Sequence, residues 1–240
     1  MSYLLYCIFR STEQSGSRDF PEFKGQPVFV ASQHGMSAAL SKLAVPDLSA
    51  GIPDLLAYEN VIEFFYSEQT VLPLQYGCKV GEVSEALALL AERESEYVRL
   101  LEQLEGMGEM GVHILLDGAD AAATPTGAGL MNVGRSSASS GAAYLAAKRE
   151  LFLNRDQQAL RQRRLADALC NALSGFFVRR KMKLADSAKS SLLSLCFLVR
   201  RECIHDFRQA ACRFQVATPA KLLLSGPWPP FNFVDFLDRG

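Results

Sequence analysis

The chain has 240 residues, 49% hydrophobic and 21% charged, which excludes a disordered chain and allows a buried core without disulfide or metal staples. Its 25 Lys and Arg against 26 Asp and Glu leave a net charge of −1. Such a balance argues against a dedicated nucleic-acid binder and against an acidic solvating chain.

The opening run Tyr3-Leu4-Leu5-Tyr6-Cys7-Ile8-Phe9 carries no basic leader and no small-residue cleavage site, so no signal peptide is expected. No stretch reaches the ~18 apolar residues that span a bilayer; the densest is Leu192 to Val199. A cytoplasmic location is the expectation. Six scattered cysteines form no C-x-x-C pair and are expected to be reduced and mostly buried.

Residues 3–9 predict a buried strand. Residues 11–27 are rich in Ser, Gly, Pro and charge and predict a loop. Val28 to Val30 predicts a short strand, and 36–45 suits strand or helix. Residues 54–68 predict a helix, with Leu55, Leu56, Val61, Ile62 and Phe65 on its inward face. Thr70 to Tyr76 predicts a strand in which Pro73 requires an edge or a bulge.

Ser84 suits the cap of the next helix. Leu87, Leu90, Ala91, Val98, Leu101 and Leu104 keep helical spacing, and Gly106 is placed as its stop. Glu109 to Leu116 predicts a strand. Residues 117–141 are dominated by Gly, Ala, Ser and Thr and predict a flexible insertion loop. A helical pattern covers about 142–178, with a break near Asn154. Strands are predicted at Lys181 to Ala185, Leu192 to Val199 and Leu222 to Leu224, with a helix over 201–214 between the last two.

From Glu109 the order strand, helix, strand, strand, helix, strand is that of a ferredoxin-like unit, and the chain as a whole reads as α+β. The expected division is an N-terminal α+β domain over 1–106, a modified ferredoxin-like domain over 107–225, and a tail over 226–240. Charge divides similarly. Residues 59–109 hold 11 acids and 3 bases, whereas 148–183 hold 10 bases and 3 acids. Solvated helix faces or faces for oppositely charged partners both fit that pattern.

Tests for chemistry yield little. His34, His113 and His205 lack the paired spacing of a zinc site. On a helix Cys203 and His205 point about 200° apart. No G-x-G-x-x-G, Walker, G-x-S-x-G or H-E-x-x-H pattern occurs. Asp117 and Asp120 read as loop-edge carboxylates, and Cys78 has no neighbouring base to activate it. No enzyme activity, cofactor, metal or small-molecule substrate is expected.

The informative segment is Ser225-Gly226-Pro227-Trp228-Pro229-Pro230-Phe231-Asn232-Phe233-Val234. Three prolines in four positions fix φ and remove donors. That predicts a stiff polyproline-II-like arm, outside any helix or central strand, presenting the sole tryptophan. So much aromatic surface either packs on its own fold or docks a partner.

This block resembles the terminal signature of the gas vesicle protein F/L family (GvpF/GvpL). Other blocks are similar in the same order. They are Tyr3 to Ile8, Val71-Leu72-Pro73-Leu74-Gln75-Tyr76-Gly77, Gly108-Glu109-Met110-Gly111-Val112-His113, Gly141-Ala142-Ala143-Tyr144-Leu145 with Lys148, and Phe197-Leu198-Val199. Gln75 and Ala142 replace family arginines, Cys78 a threonine and Phe231 a tyrosine.

The resemblance implies a non-enzymatic accessory protein of the buoyancy organelle, located in the cytoplasm in association with the gas vesicle. Such a protein would bind the hydrophobic shell protein, gas vesicle protein A, and other gas vesicle accessory proteins, in a chaperone- or nucleation-like role. It implies two α+β domains, the second ferredoxin-like, and no nucleic-acid or membrane partner. The candidate partner-binding residues are Leu72, Pro73, Leu74 and Tyr76, together with Gly226, Pro227, Trp228, Pro229, Pro230, Phe231, Asn232 and Phe233. The alternatives are an RNA-binding module, which needs exposed aromatics on central strands, and an enzyme, which needs converging polar groups.

Overall fold

The computed structural model describes residues 2–11, 20–43, 51–115, 148–149, 160–184, 192–218 and 221–234. The predicted loop 117–141, the family-like block from Gly141, the helix break near Asn154 and the tail beyond Val234 lie outside these residues.

The first sheet contains β1 (Ser2–Arg10), β2 (Glu22–Phe23), β3 (Gln26–Gln33), β4 (Met36–Leu43), β5 (Leu72–Pro73) and β6 (Lys79–Val80). Its order is β2-β3-β4-β1-β5, with β6 also on β1, and every pair is antiparallel. Two tight hairpins build one side. Lys24-Gly25 and His34-Gly35 have φ of 51° and 72°, and of 50° and 74°, the left-handed pair that a two-residue hairpin turn demands. Residues 11–27 therefore hold a strand and a hairpin turn where the composition suggested only loop. The ambiguous 36–45 stretch is strand at least to Leu43.

The strand expected over 70–76 is only two residues long. Pro73 cannot donate to the ladder, and Gly77 at φ 97° turns the chain before β6 resumes alongside β1. Leu74 N–H to the Tyr6 carbonyl and Leu5 N–H to the Cys78 carbonyl, both 2.9 Å, keep the interrupted segment on β1.

Helix α1 (Ile52–Glu68) has a proline in its first turn, where the missing donor costs nothing. Its inward stripe is Asp54, Tyr58, Val61, Ile62, Phe65 and Tyr66. Leu55 and Leu56, expected to be inward, are exposed, Leu56 at 54%. The tyrosines take their place because each polar tip finds an acceptor. The Tyr58 hydroxyl lies 2.7 Å from the Leu5 carbonyl oxygen and 3.1 Å from that of Leu74.

The helix expected over 84–105 is two helices, α2 (Val83–Glu92) and α3 (Glu94–Leu104). Arg93 leaves helical geometry at φ −116°, ψ 20°. The break carries the chain from β3 and β4, under α2, to β1 and β5, under α3. Glu82, not Ser84, is the N-cap residue, and the Ser84 hydroxyl donates to the Glu82 carboxylate at 3.1 Å. Gly106 stops α3 with φ 66°.

The second sheet contains β7 (Met107–Leu115), β8 (Arg179–Leu184), β9 (Leu192–Arg200) and β10 (Lys221–Trp228), in the order β10-β7-β9-β8, all antiparallel. Helix α4 (160–172) precedes β8. A short 3-10 turn (Arg201–Cys203) leads into α5 (Ile204–Val216). Met110, Val112, Ile114, Leu193, Leu195, Phe197 and Val199 pack with Ala166, Leu169 and Leu173 of the α4 segment and Phe207 of α5. On the opposite face Cys196 and Leu198 join the core that continues under the first sheet, with Leu5, Met36 and Leu104. Burial on both faces explains why β9 reads as an almost unbroken apolar run.

Burial also sets a pH limit. It pushes up the phenol pKa of Tyr6, Tyr58, Tyr66 and Tyr97 and the thiol pKa of Cys7 and Cys78. The folded chain then holds protons that the unfolded chain releases. This contribution is complete below the unfolded values, about 8.5 for a thiol and about 10 for a phenol, and is lost as pH rises above them. The urea midpoint is expected to fall between about pH 8 and about pH 10.5. Phenolate absorbance of Tyr6 and Tyr58, the two most strongly shifted, should appear only together with unfolding. A midpoint that stays constant across that range would contradict the assignment.

Candidate functional site: the C-terminal clasp and its exposed edge

The segment from Ser225 to Val234 does not form the polyproline-II-like arm expected from its prolines. Strand β10 runs through to Trp228, and Phe231–Phe233 makes a 3-10 turn. Two features permit this. β10 lies at the sheet edge, where a proline withholds only an outward donor. The register also shifts between Ser225 and Trp228, which leaves Pro227 unpaired.

The turn is fastened by a carboxylate. Glu109, on β7, is buried. Its Oε2 accepts the Asn232 backbone N–H at 2.8 Å and its Oε1 accepts the Asn232 side-chain amide. Two donors on a buried carboxylate offset its lost hydration. Phe233 N–H to the Pro230 carbonyl at 3.0 Å closes the turn.

Phe233 and Val234 then enter the core shared by both sheets, while Phe231 packs against the α1-side core. The Arg179 guanidinium lies 5.7 Å from the centroid of the Phe233 ring, within cation–π range.

The same junction is tightened from the other side. The Tyr66 hydroxyl, at the end of α1, donates to the Met107 carbonyl at 2.9 Å. The Arg201 guanidinium lies 4.3 Å from the Tyr66 ring centroid and donates to the Tyr66 carbonyl at 3.0 Å. Arg208 on α5 donates to the Gly226 carbonyl at 2.6 Å. Gly108 has no room to spare. A Cβ there would lie 3.1 Å from both Pro227 Cβ and the Tyr66 hydroxyl.

The candidate residues thus separate into two groups. Leu72, Pro73 and Leu74 are buried, and so are Pro229, Pro230 and Phe233. Tyr76, Gly226, Phe231 and Asn232 are half-buried, whereas Pro227 and Trp228 are exposed, Trp228 at 43%. By register Trp228 lies opposite Glu109, and Leu223 lies opposite His113 on the same face. Leu223 is 55% exposed. The edge strand therefore presents an aliphatic and an aromatic side chain to solvent, just before the chain enters the buried clasp.

Tyr66, Arg201 and Arg208 were not singled out from the sequence, and Glu109 only as part of a strand and a family-like block, not as a site residue. A glutamate between methionines and glycines in a strand was the available signal, since a buried charge there needs a partner. His113 Nδ1 lies 2.9 Å from the Ser194 hydroxyl, and His205 is 2.9 Å from Gln209. The two histidines are on different elements. Among the described residues, no three His, Cys, Asp or Glu side chains cluster in a way that would hold a metal ion. Among those residues, no helix is long and apolar enough to cross a membrane. Phe197, the aromatic of the central strands, is fully buried and offers no stacking platform for RNA.

Residues 2–235 match the family model described as gas vesicle synthesis protein GvpL/GvpF. The chain is 30% identical to gas vesicle protein F of Streptomyces sp. (strain CB03234), over 98% of this chain and 100% of the relative. Its fold is similar to the crystal structure of gas vesicle protein GvpF from Anabaena sp. PCC7120, with a TM-score of 0.75 at 17% identity, covering 97% of this chain and 95% of that one. The crystal structure of GvpF from Microcystis aeruginosa gives a TM-score of 0.73 at 16% identity, covering 97% and 98%.

Proposed function

The chain belongs to the gas vesicle synthesis protein GvpL/GvpF family, and from that premise we propose that it is an accessory protein of gas vesicle assembly that binds the hydrophobic shell subunit, gas vesicle protein A. In this reading it holds shell subunits apart until they join the wall, works with other gas vesicle accessory proteins, and resides in the cytoplasm with the vesicle. A subunit that polymerises through apolar strands aggregates unless its strand edges are covered.

The observation that carries the reading is the exposed pair Leu223 and Trp228 on an edge strand. An edge offers backbone donors and acceptors to an added strand, and alternate apolar side chains supply the affinity. The β10-β7-β9-β8 order, with helices before β8 and before β10, supports a modified ferredoxin-like unit from 107 onward, with a boundary near Gly106.

Co-expression with gas vesicle protein A followed by pull-down of the full chain tests the reading. The shell subunit should be captured, and the emission of the sole tryptophan should shift to shorter wavelength as it is covered. Leu223→Ala with Trp228→Ala is expected to weaken capture by about tenfold or more, the loss typical of aromatic anchors, with unchanged circular dichroism. Unchanged capture by that variant would refute the β10 surface. Absence of capture by the parent chain would refute shell binding itself.

A further inference from the structure

We propose that copies of this chain associate head to tail, the exposed apolar–acidic stripe of α1 on one copy seating against the apolar–basic edge at β8 on the next. The first surface follows from the correction to α1. Its inward stripe is filled by Tyr58, Val61, Ile62 and Phe65, so Leu55 and Leu56 face solvent. Glu59 and Glu63 are also exposed, one and two turns further along the same outward stripe.

The second surface belongs to an edge strand. Among the described residues β8 ends the second sheet, and Arg180 and Met182 on one side of it, with Val178 just before it, are all exposed. Register places Arg180 opposite Phe197 and Met182 opposite Leu195, on the side covered by α4. Arg164 of α4 is exposed as well.

The two surfaces match in chemistry. Each joins uncovered apolar side chains to charges of one sign, and the signs are opposite. Among the described residues neither Glu59 nor Glu63, nor Arg164 nor Arg180, makes an ion pair. The charges are therefore not neutralised within the fold. The surrounding sequence reinforces each sign, with 11 acids to 3 bases over 59–109 and 10 bases to 3 acids over 148–183. A net charge of −1 lets copies approach without overall repulsion while the opposed patches orient them. A second copy is the occupant that supplies both halves of this match. Such a contact joins two different patches, so it propagates into rings or open chains instead of stopping at a symmetric dimer.

Sedimentation analysis of the full chain tests this. The mass should rise with protein concentration at about 0.05 M salt and fall back towards monomer at about 0.5 M, where surface charges are screened. Glu59→Lys with Glu63→Lys should weaken association by about tenfold or more, as should Arg164→Ala with Arg180→Ala. Each variant keeps one native patch, so an equimolar mixture of the two should form a discrete one-to-one pair that does not grow. All four positions are exposed, and circular dichroism is the check that the variants fold. A monomer at every concentration overturns the proposal, as does association that both variants leave intact, or a mixture that stays monomeric. The assay contains no shell subunit, so its outcome is independent of the proposed client binding.

Discussion

Phe233→Ala is expected to lower stability by about 3–5 kcal/mol, the usual cost of emptying a fully buried phenylalanine site. For a chain of this size that corresponds to a fall of roughly 6–20 °C in the thermal midpoint. The reason is position. Phe233 is fully buried in a core that also contains Leu5, Leu104 and Leu198. Those side chains come from β1 of the first sheet, helix α3 and β9 of the second sheet. Removing the ring leaves a cavity where neither sheet can collapse alone.

Asn232→Ala tests the other half of the clasp. It strips the side-chain donor from the buried Glu109 carboxylate and is expected to cost about 1.5–3 kcal/mol, the range for a hydrogen bond to a charged group. The two changes share one turn, so their combined cost should be less than their sum. Thermal unfolding followed by circular dichroism measures all three variants. A loss below about 1 kcal/mol for Phe233→Ala would mean that the tail is an appendage and not a clasp.

Gly226→Ala is the second large effect. Gly226 has φ 99°, where a side chain costs about 1–3 kcal/mol. A Cβ at that site would also overlap the Glu109 carbonyl oxygen and lie 3.1 Å from Trp228 Cδ1. Overpacking against backbone adds about 1–3 kcal/mol, so a total of about 2–6 kcal/mol is expected. Gly77→Ala is the control. Its φ is 97°, but nothing lies within 4 Å of the added carbon, so only the conformational cost of about 1–3 kcal/mol should appear. Equal losses at the two sites would show that close approach to β7 is not what Gly226 provides.

The physical reading of the terminal block now has two parts. Its prolines and glycine shape an edge strand and a turn, and its phenylalanines close the junction between the sheets. Trp228 is the aromatic of the block that stays exposed. A conspicuous motif need not be wholly a binding motif; here most of its side chains are spent on the fold.

Local pattern determined a good deal of this protein. Periodicity at Leu90, Leu101 and Leu104 marked the α2–α3 region, Gly106 marked its end, and apolar runs marked β1 and β9. Each is a property of residues close in the chain, so sequence spacing reports it directly. The run of family-like blocks from Tyr3 to Val234 was legible for the same reason. The left-handed pairs Lys24-Gly25 and His34-Gly35 were harder to read, because Lys and His are not the residues that usually announce such turns.

Tertiary structure decided the rest. Leu55 and Leu56 are better hydrophobes than Tyr58 and Tyr66, yet the tyrosines are inside, because carbonyls of Leu5 and Met107, distant in sequence, satisfy their hydroxyls. Pro227 sits in a strand because that strand is an edge, a fact no local window contains. Glu109 is a clasp only because Asn232, 123 residues away, reaches it. Burial of a polar group depends on which partner arrives, and partners are chosen by topology and not by spacing along the chain.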